Sequence, residues 1–211
     1  MTDAIGEDLS KAAAYLTTHD PVLAPIIKRA GIPTFAPHSD YYGALVNSII
    51  GQQLSVKAAA SIKQRFCDLF GGKLPAPEEI LEKSVEELRA VGFSNAKANY
   101  VRDLAKHVLD GRVRFDKLDT QSNEEIIAEL TDVKGVGEWT VHMFLIFCMG
   151  RLDVLPAGDL GIRNGVRALY NFKDLPTPDQ IKDLAQKNRW HPYESAAAWY
   201  VWRSLDNEPE T

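Results

Sequence analysis

Cysteine is scarce in this chain of 211 residues: Cys67 and Cys148 are the only two. Neither has the companions whose spacing makes a zinc site or an iron–sulfur cluster, so both read as reduced, buried small hydrophobes inside apolar helical patterns. Long apolar runs are missing as well. No stretch approaches the roughly 20 residues that span a bilayer, and no basic leader precedes an apolar core. The expectation is a soluble, intracellular protein with no membrane partner. Period-two alternation, which would announce a sheet, is absent, and so are solenoid repeats and low-complexity linkers. Nor is there a basic surplus. The formal charge is −5, which argues against coating a polyanion by bulk attraction, so any such contact must be local.

What the chain does contain, at 45% hydrophobic residues, is a series of short capped helices, and the predicted class is all-α. Ser84 with Glu87, Ser122 with Glu125 and Thr177 with Gln180 are capping boxes, marking three helix starts. Gly31, Gly71, Gly72, Gly92, Gly111 and Gly150 follow periodic apolar segments and mark stops. Helices are predicted near 8–18, 21–30, 41–51, 55–70, 85–91, 95–110, 123–131, 138–149, 160–170, 178–188 and 192–205. Only the tail 206–211 reads as disordered.

The most informative stretch is Leu130-Thr131-Asp132-Val133-Lys134-Gly135-Val136-Gly137-Glu138-Trp139-Thr140. Two glycines flank one apolar residue, permitting a tight turn with positive φ and a close backbone approach. The next helix offers free N–H groups and the positive end of its dipole, which together favour an anion. Taken alone, Gly-x-Gly is as well explained by a plain corner between helices. Downstream, Asp159 sits in Leu155-Pro156-Ala157-Gly158-Asp159-Leu160-Gly161-Ile162-Arg163, where an aspartate by itself reads as an N-cap.

The hairpin followed by this aspartate resembles the helix-hairpin-helix DNA glycosylase superfamily, and over about 41–205 its compact alkylpurine branch, the 3-methyladenine glycosylase II group without an N-terminal β domain. The resemblance implies two helical lobes, about 41–152 and about 1–40 plus 153–205, within one domain spanning 1–211, with a cleft between them. It implies Asp159 as the catalytic carboxylate, one oxygen capping while the other faces the cleft. The amides of Gly135 and Gly137 and the Thr140 hydroxyl would hold a DNA phosphate, and the carbonyls of Thr131, Val133 and Val136 a structural Na or K ion. Phosphate contacts of this kind position a duplex locally, which reconciles the hairpin with the acidic total. Lys57, Lys63, Lys97, Arg163 and Arg167 could add attraction, although charged helix residues are most often merely solvated.

In lyase members of the superfamily a lysine just after the hairpin attacks the sugar; here that position is Trp139, so the amine route is closed. The implied reaction is hydrolysis of the N-glycosidic bond of alkylated purines such as 3-methyladenine and 7-methylguanine. A carboxylate would stabilise the positive charge that develops on the sugar. No cofactor is required. Most of Trp190, Tyr193, Trp199, Tyr200 and Trp202 read as core. Trp139 and Trp202, however, align with the family's base-stacking tryptophans, whose indole faces suit a flipped cationic base. Met143 stands where some relatives carry an aromatic and would shape the pocket. Gln53, Leu54 or Ser55 would be the wedge that fills the gap in the duplex; without the resemblance, Gln-Gln-Leu-Ser is a polar turn with Ser55 as N-cap.

The implied partner is double-stranded DNA with alkylated bases, bound by a monomer, in the cytoplasm or nucleoid of a bacterium or the nucleus of a eukaryote. Two other readings remain at this point: a DNA-docking module whose Asp159 only caps its helix, and a protein-interaction domain whose Gly-Val-Gly is an ordinary corner.

Overall fold

Side chains that satisfy orphan N–H groups decide where most helices begin. In the computed structural model, which describes residues 2–206, Asp40, Ser55, Ser84, Ser94, Ser122, Asp159 and Thr177 each accept a backbone N–H from the turn that follows. All three predicted capping boxes form. Glu87 returns to the Ser84 N–H at 2.8 Å, Glu125 to Ser122 at 2.7 Å and Gln180 to Thr177 at 2.9 Å. The six glycines expected to end helices all take positive φ.

The elements are α1 (Thr2–His19), α2 (Ala24–Ala30), α3 (Tyr41–Gly51), α4 (Val56–Asp68), α5 (Pro77–Glu82), α6 (Val85–Ala90) and α7 (Asn95–Leu109). A 3₁₀ turn at Leu118–Thr120 precedes α8 (Asn123–Thr131), α9 (Glu138–Met143), a π-helical segment Phe144–Cys148, α10 (Leu160–Leu169), α11 (Pro178–Lys187) and α12 (Glu194–Arg203). There is no strand among the described residues, and no helix is long and apolar enough to cross a membrane. The fold class is all-α.

Three helices depart from the sequence reading. Helix α1 starts at Thr2 rather than near Asp8, so that Gly6, a poor helix former, lies inside its first turns and not before them. The unpredicted α5 has no Ser, Thr, Asp or Asn at its cap; its start is held by Pro77 in the first turn and by Glu79, which accepts the Ala76 N–H at 2.7 Å. The predicted helix 138–149 keeps α geometry only to Met143 and continues as a π turn. Its run Phe-Leu-Ile-Phe-Cys contains no polar residue, so it carries no period from which a widened turn could be read. Cys67 is half-buried rather than buried, while Cys148 is buried, and neither is in a disulfide. The predicted tail beyond Asp206 lies outside the described residues; Asp206 itself pairs with Arg203 at 2.6 Å.

The chain divides into two units, Met1–Pro37 with Leu145–Thr211, and His38–Phe144. In the first, α1, α2, α10, α11 and α12 contribute Leu16, Ile27, Val166, Ile181 and Tyr200 to one apolar cluster that also buries Trp190. Asp20 is buried within this unit. Its Oδ1 accepts the N–H groups of Val22 and Leu23, and its Oδ2 accepts the Tyr170 hydroxyl and the Trp190 indole N–H. Burial and the adjacent carboxylate push the Tyr170 phenol well above its ordinary range. Four donors converge on two acceptor atoms, so Asp20→Asn would turn an NH2 toward donors. It is expected to lower stability by about 2 kcal/mol, read from chemical denaturation.

In the second unit α7 packs against α3, α5 and α6. Leu45, Ile49, Ile80, Leu88, Val101 and Leu104 are fully buried there. This buried α7 is the support for both loops described next.

Candidate functional site

Between α8 and α9 the backbone turns through Asp132-Val133-Lys134-Gly135-Val136-Gly137. Val133 and Val136 point inward and are buried. Gly135 has φ +83, and a Cβ there would lie 2.2 Å from Cδ2 of Tyr100. Both the sign of φ and the space require glycine. Gly137 does not need it for the same reason, contrary to the sequence reading: with φ −95 and ψ 168 it is ordinary extended backbone at the N-cap of α9. Its lack of a side chain has a different effect, leaving open space and an uncapped first turn. The amides of Gly135 and Gly137 have no acceptor among the described residues. An uncapped helix start facing open space is an arrangement that accepts an anion. Thr140, one turn on, is 6% exposed.

Three side chains of α7 fix this turn. Asp103 accepts the Lys134 N–H at 2.9 Å, the Nε2 of buried His107 lies 3.0 Å from Oδ2 of Asp132, and the Tyr100 ring lies beneath Gly135. Spacings of three and four place them on one helix face. Sequence reasoning passed over all three, although that spacing was the available signal.

The turn after α3 is built onto the same support. Gln52 donates its Nε2–H to the Gly135 carbonyl at 2.7 Å. Lys97, from the first turn of α7, donates to the carbonyls of Ile50 at 2.7 Å and Gln52 at 2.6 Å. Lys97 is therefore not the solvated cation expected; its desolvation holds the ammonium pKa below the usual lysine range. Within the turn Gln53 takes φ +57, an uncommon conformation for a residue with a side chain. Gln53, Leu54 and Ser55 are all exposed. Ser55 also accepts the Ala58 N–H at 3.3 Å as cap of α4, which leaves Gln53 and Leu54 as the projecting side chains. Lys57, Lys63 and Arg167 are exposed, whereas Arg163 is half-buried and spends its Nε on the Pro176 carbonyl at 2.8 Å.

In the other unit Asp159 is the N-cap of α10. Its Oδ1 accepts both the Ile162 N–H at 2.8 Å and the indole N–H of Trp202 at 2.8 Å. Two glycines allow the second bond. A Cβ on Gly165 would lie 2.5 Å from the Val201 side chain, and one on Gly161 would lie 3.0 Å from both Trp202 Cδ1 and Asp159 Oδ1. Glycine at both positions lets α12 approach α10 closely enough to lay the Trp202 edge on the carboxylate. This Gly-x-x-x-Gly pair was legible and unread. The ring of Trp202 stacks on Phe147 at 6.0 Å, and Phe147 meets Phe35 edge-on. Phe147 lies in the π segment and is 40% exposed, an aromatic beside the carboxylate that sequence reasoning missed.

The remaining aromatics sort as expected for some and not for others. Trp190 and Tyr200 are fully buried, while Trp199 is half-buried against Tyr200 and beneath Arg203. Trp139 is 53% exposed. It shares a face of α9 with half-buried Met143 four residues on. His142 beside them is held below the usual histidine pKa by burial, against the opposing pull of Glu138.

An all-helical chain with a glycine turn opening onto an uncapped helix start, and a carboxylate cap later in sequence held by an indole, belongs to the helix-hairpin-helix class. The family described as HhH-GPD superfamily base excision DNA repair protein matches residues 46–190, and the chain belongs to it. DNA-3-methyladenine glycosylase 1 of Schizosaccharomyces pombe is 36% identical over 209 residues, covering 96% of this chain and 90% of that protein. Two solved structures are similar throughout. The S. pombe 3-methyladenine DNA glycosylase in complex with abasic DNA has a TM-score of 0.78 at 36% identity, covering 92% and 95% of the two chains. The DNA-3-methyladenine glycosidase from Bacillus halodurans has a TM-score of 0.84 at 35% identity, covering 93% and 89%.

Proposed function

We propose that this chain is a monofunctional DNA glycosylase of base-excision repair that hydrolyses the N-glycosidic bond of alkylated purines. The observation that carries the reading is the Asp159 carboxylate, fixed by the Ile162 amide and the Trp202 indole N–H. A carboxylate so oriented is preorganised to stabilise positive charge on a deoxyribose as the bond breaks. Ring-alkylated purines are cationic and depart as neutral bases, so the leaving group needs little acid catalysis. The names of the similar glycosylases support 3-methyladenine as one substrate. The indole of Trp202, whose N–H rests on the Asp159 carboxylate, would offer a face to the flipped base. Trp139 stands where a lyase carries its lysine and supplies no amine, so the product is an intact strand with an abasic site.

The Gly135 and Gly137 amides and Thr140 would hold a backbone phosphate, with Gln53 or Leu54 entering the duplex. For a structural Na or K ion the donor set fits in part. The Thr131 and Val136 carbonyls have no donor among the described residues, whereas the Val133 carbonyl already accepts the Val136 N–H at 3.0 Å. Neutral carbonyls at the negative end of α8 suit a hard monovalent cation, which would draw the hairpin toward phosphate when bound. No redox cofactor or catalytic metal enters the reading, and the monomer is taken as the active form.

The experiment is incubation with methylated duplex DNA, chromatography of released bases, and strand analysis before and after alkali. Released methylpurine with breaks only after alkali is the expected result; breaks before alkali would overturn the monofunctional assignment. Trp202→Phe keeps a ring over the site and removes one hydrogen bond to the carboxylate. Its single-turnover release rate is expected to fall about tenfold, the loss typical of one bond to a charged group.

A further inference from the structure

We propose that Gln52 and Lys97 are positioning residues that join the Gln53–Leu54 turn to the Gly135 hairpin, so that entry into the duplex and the grip on phosphate act as one device. The inference rests on the DNA-binding reading above but assigns no step in base release to either residue.

Three observations carry it. First, the Gln52 amide reaches across to the Gly135 carbonyl at 2.7 Å, while its backbone N–H donates to the Ser48 carbonyl and its own carbonyl accepts from Lys97. One residue thus ties the end of α3, the start of α7 and the hairpin. Second, Lys97 places an ammonium on two carbonyls at the end of α3, where the helix dipole is negative. It has no carboxylate within ion-pair distance among the described residues. A half-buried lysine spent on carbonyls, with its pKa lowered by desolvation, holds backbone rather than balancing charge. Third, the next residue, Gln53, takes φ +57. Such a conformation persists only where the surroundings over-determine it, and it recurs at ligand clamps. The bracket formed by Gln52 and Lys97 is what over-determines it here.

A turn that must push a side chain between base pairs works against the stacking it displaces. If it were free, that load would displace the turn. Fastened through Gln52 to backbone that grips phosphate two residues away, it is braced against the DNA itself. Insertion should then depend on the hairpin grip, and cutting the link should remove the dependence.

The test uses the full chain and a duplex carrying a tetrahydrofuran abasic analogue beside 2-aminopurine, whose fluorescence reports insertion without any base release. Gln52→Met keeps length and removes the donor. Insertion is expected to slow about tenfold, the effect of leaving one half-buried carbonyl unpaired, while affinity for undamaged duplex changes less than about twofold. Gly137→Ala should slow insertion in the wild-type background and add little in the Gln52→Met background, a non-additivity that packing loss alone does not produce. Lys97→Met, which loosens the same turn from the other side, should behave like Gln52→Met. Insertion at the wild-type rate in Gln52→Met, or strictly additive effects, overturns the proposal. Normal insertion by a wild-type protein that releases no methylated base would instead overturn the glycosylase reading and leave this one standing.

Discussion

Asp159→Asn should abolish most base release while leaving the protein folded and bound to DNA. Asparagine is as good an N-cap as aspartate. Its Oδ1 can still accept from the Ile162 N–H and the Trp202 indole, so melting should barely move. What disappears is the negative charge beside the sugar. Removing one preorganised electrostatic group of this kind slows chemistry by about 10² to 10³. Affinity should survive, because the proposed phosphate contacts lie on the hairpin of the other unit and position the strand independently of the carboxylate.

Asp159→Ala is a different experiment. It also removes the cap and leaves the Trp202 N–H unpaired, lowering stability by about 1–2 kcal/mol in addition to the loss of rate. The contrast between the two variants separates catalysis from capping. A docking module whose Asp159 only caps α10 would be indifferent to asparagine and damaged by alanine. The measurements are single-turnover release from methylated duplex, anisotropy with the same duplex, and a melt of each variant. Wild-type release by Asp159→Asn would return the aspartate to the structural role its sequence context first suggested.

How much of this was legible followed from whether the signal was local. Capping boxes and helix-ending glycines act within a turn of their own position, so α6, α8 and α11 began where Ser84, Ser122 and Thr177 indicated. The helix α5, whose start depends on a proline and a glutamate rather than a cap side chain, left no such mark. Asp159 reads from its neighbours as an N-cap and is singled out as the carboxylate by the family resemblance, but part of what orients it is Trp202, 43 residues downstream. That contact exists because Gly161 and Gly165 admit α12, and the pairing of those two helices is a tertiary fact.

The same holds for the hairpin. Gly-Val-Gly announced it, whereas its fixation by Tyr100, Asp103 and His107 is visible only once α7 is laid against it. Lys97 was read as a surface cation because charged helix residues usually are. Only the placement of the end of α3 beside it reveals two carbonyls that need a donor. The widened turn at Phe144–Cys148 was hidden for another reason: a wholly apolar run records no period.

Gly135→Ala and Gly137→Ala, two residues apart in one turn, should fail in opposite ways. At Gly135 a methyl group meets two penalties. The left-handed φ of +83 disfavours a side chain by about 1–2 kcal/mol. The methyl would also sit 2.2 Å from the Tyr100 ring, and moving that ring in a packed setting adds about 1–3 kcal/mol. A total loss of about 3 kcal/mol should lower the melting temperature by about 10 °C in a chain of this size. At Gly137 the backbone is extended and a Cβ meets nothing within 4 Å, so the melt should be unchanged. Yet that open space is where a phosphate would approach the amides at the start of α9. A methyl group there should weaken duplex binding about tenfold and reduce its salt dependence, since a phosphate contact is lost. If Gly137→Ala binds DNA as the wild type does, the uncapped start of α9 is not the anion site. If Gly135→Ala melts unchanged, the turn is not held against α7 as described. The two outcomes are independent, because one variant tests what the glycine allows the backbone to do and the other tests what its missing side chain allows to come near.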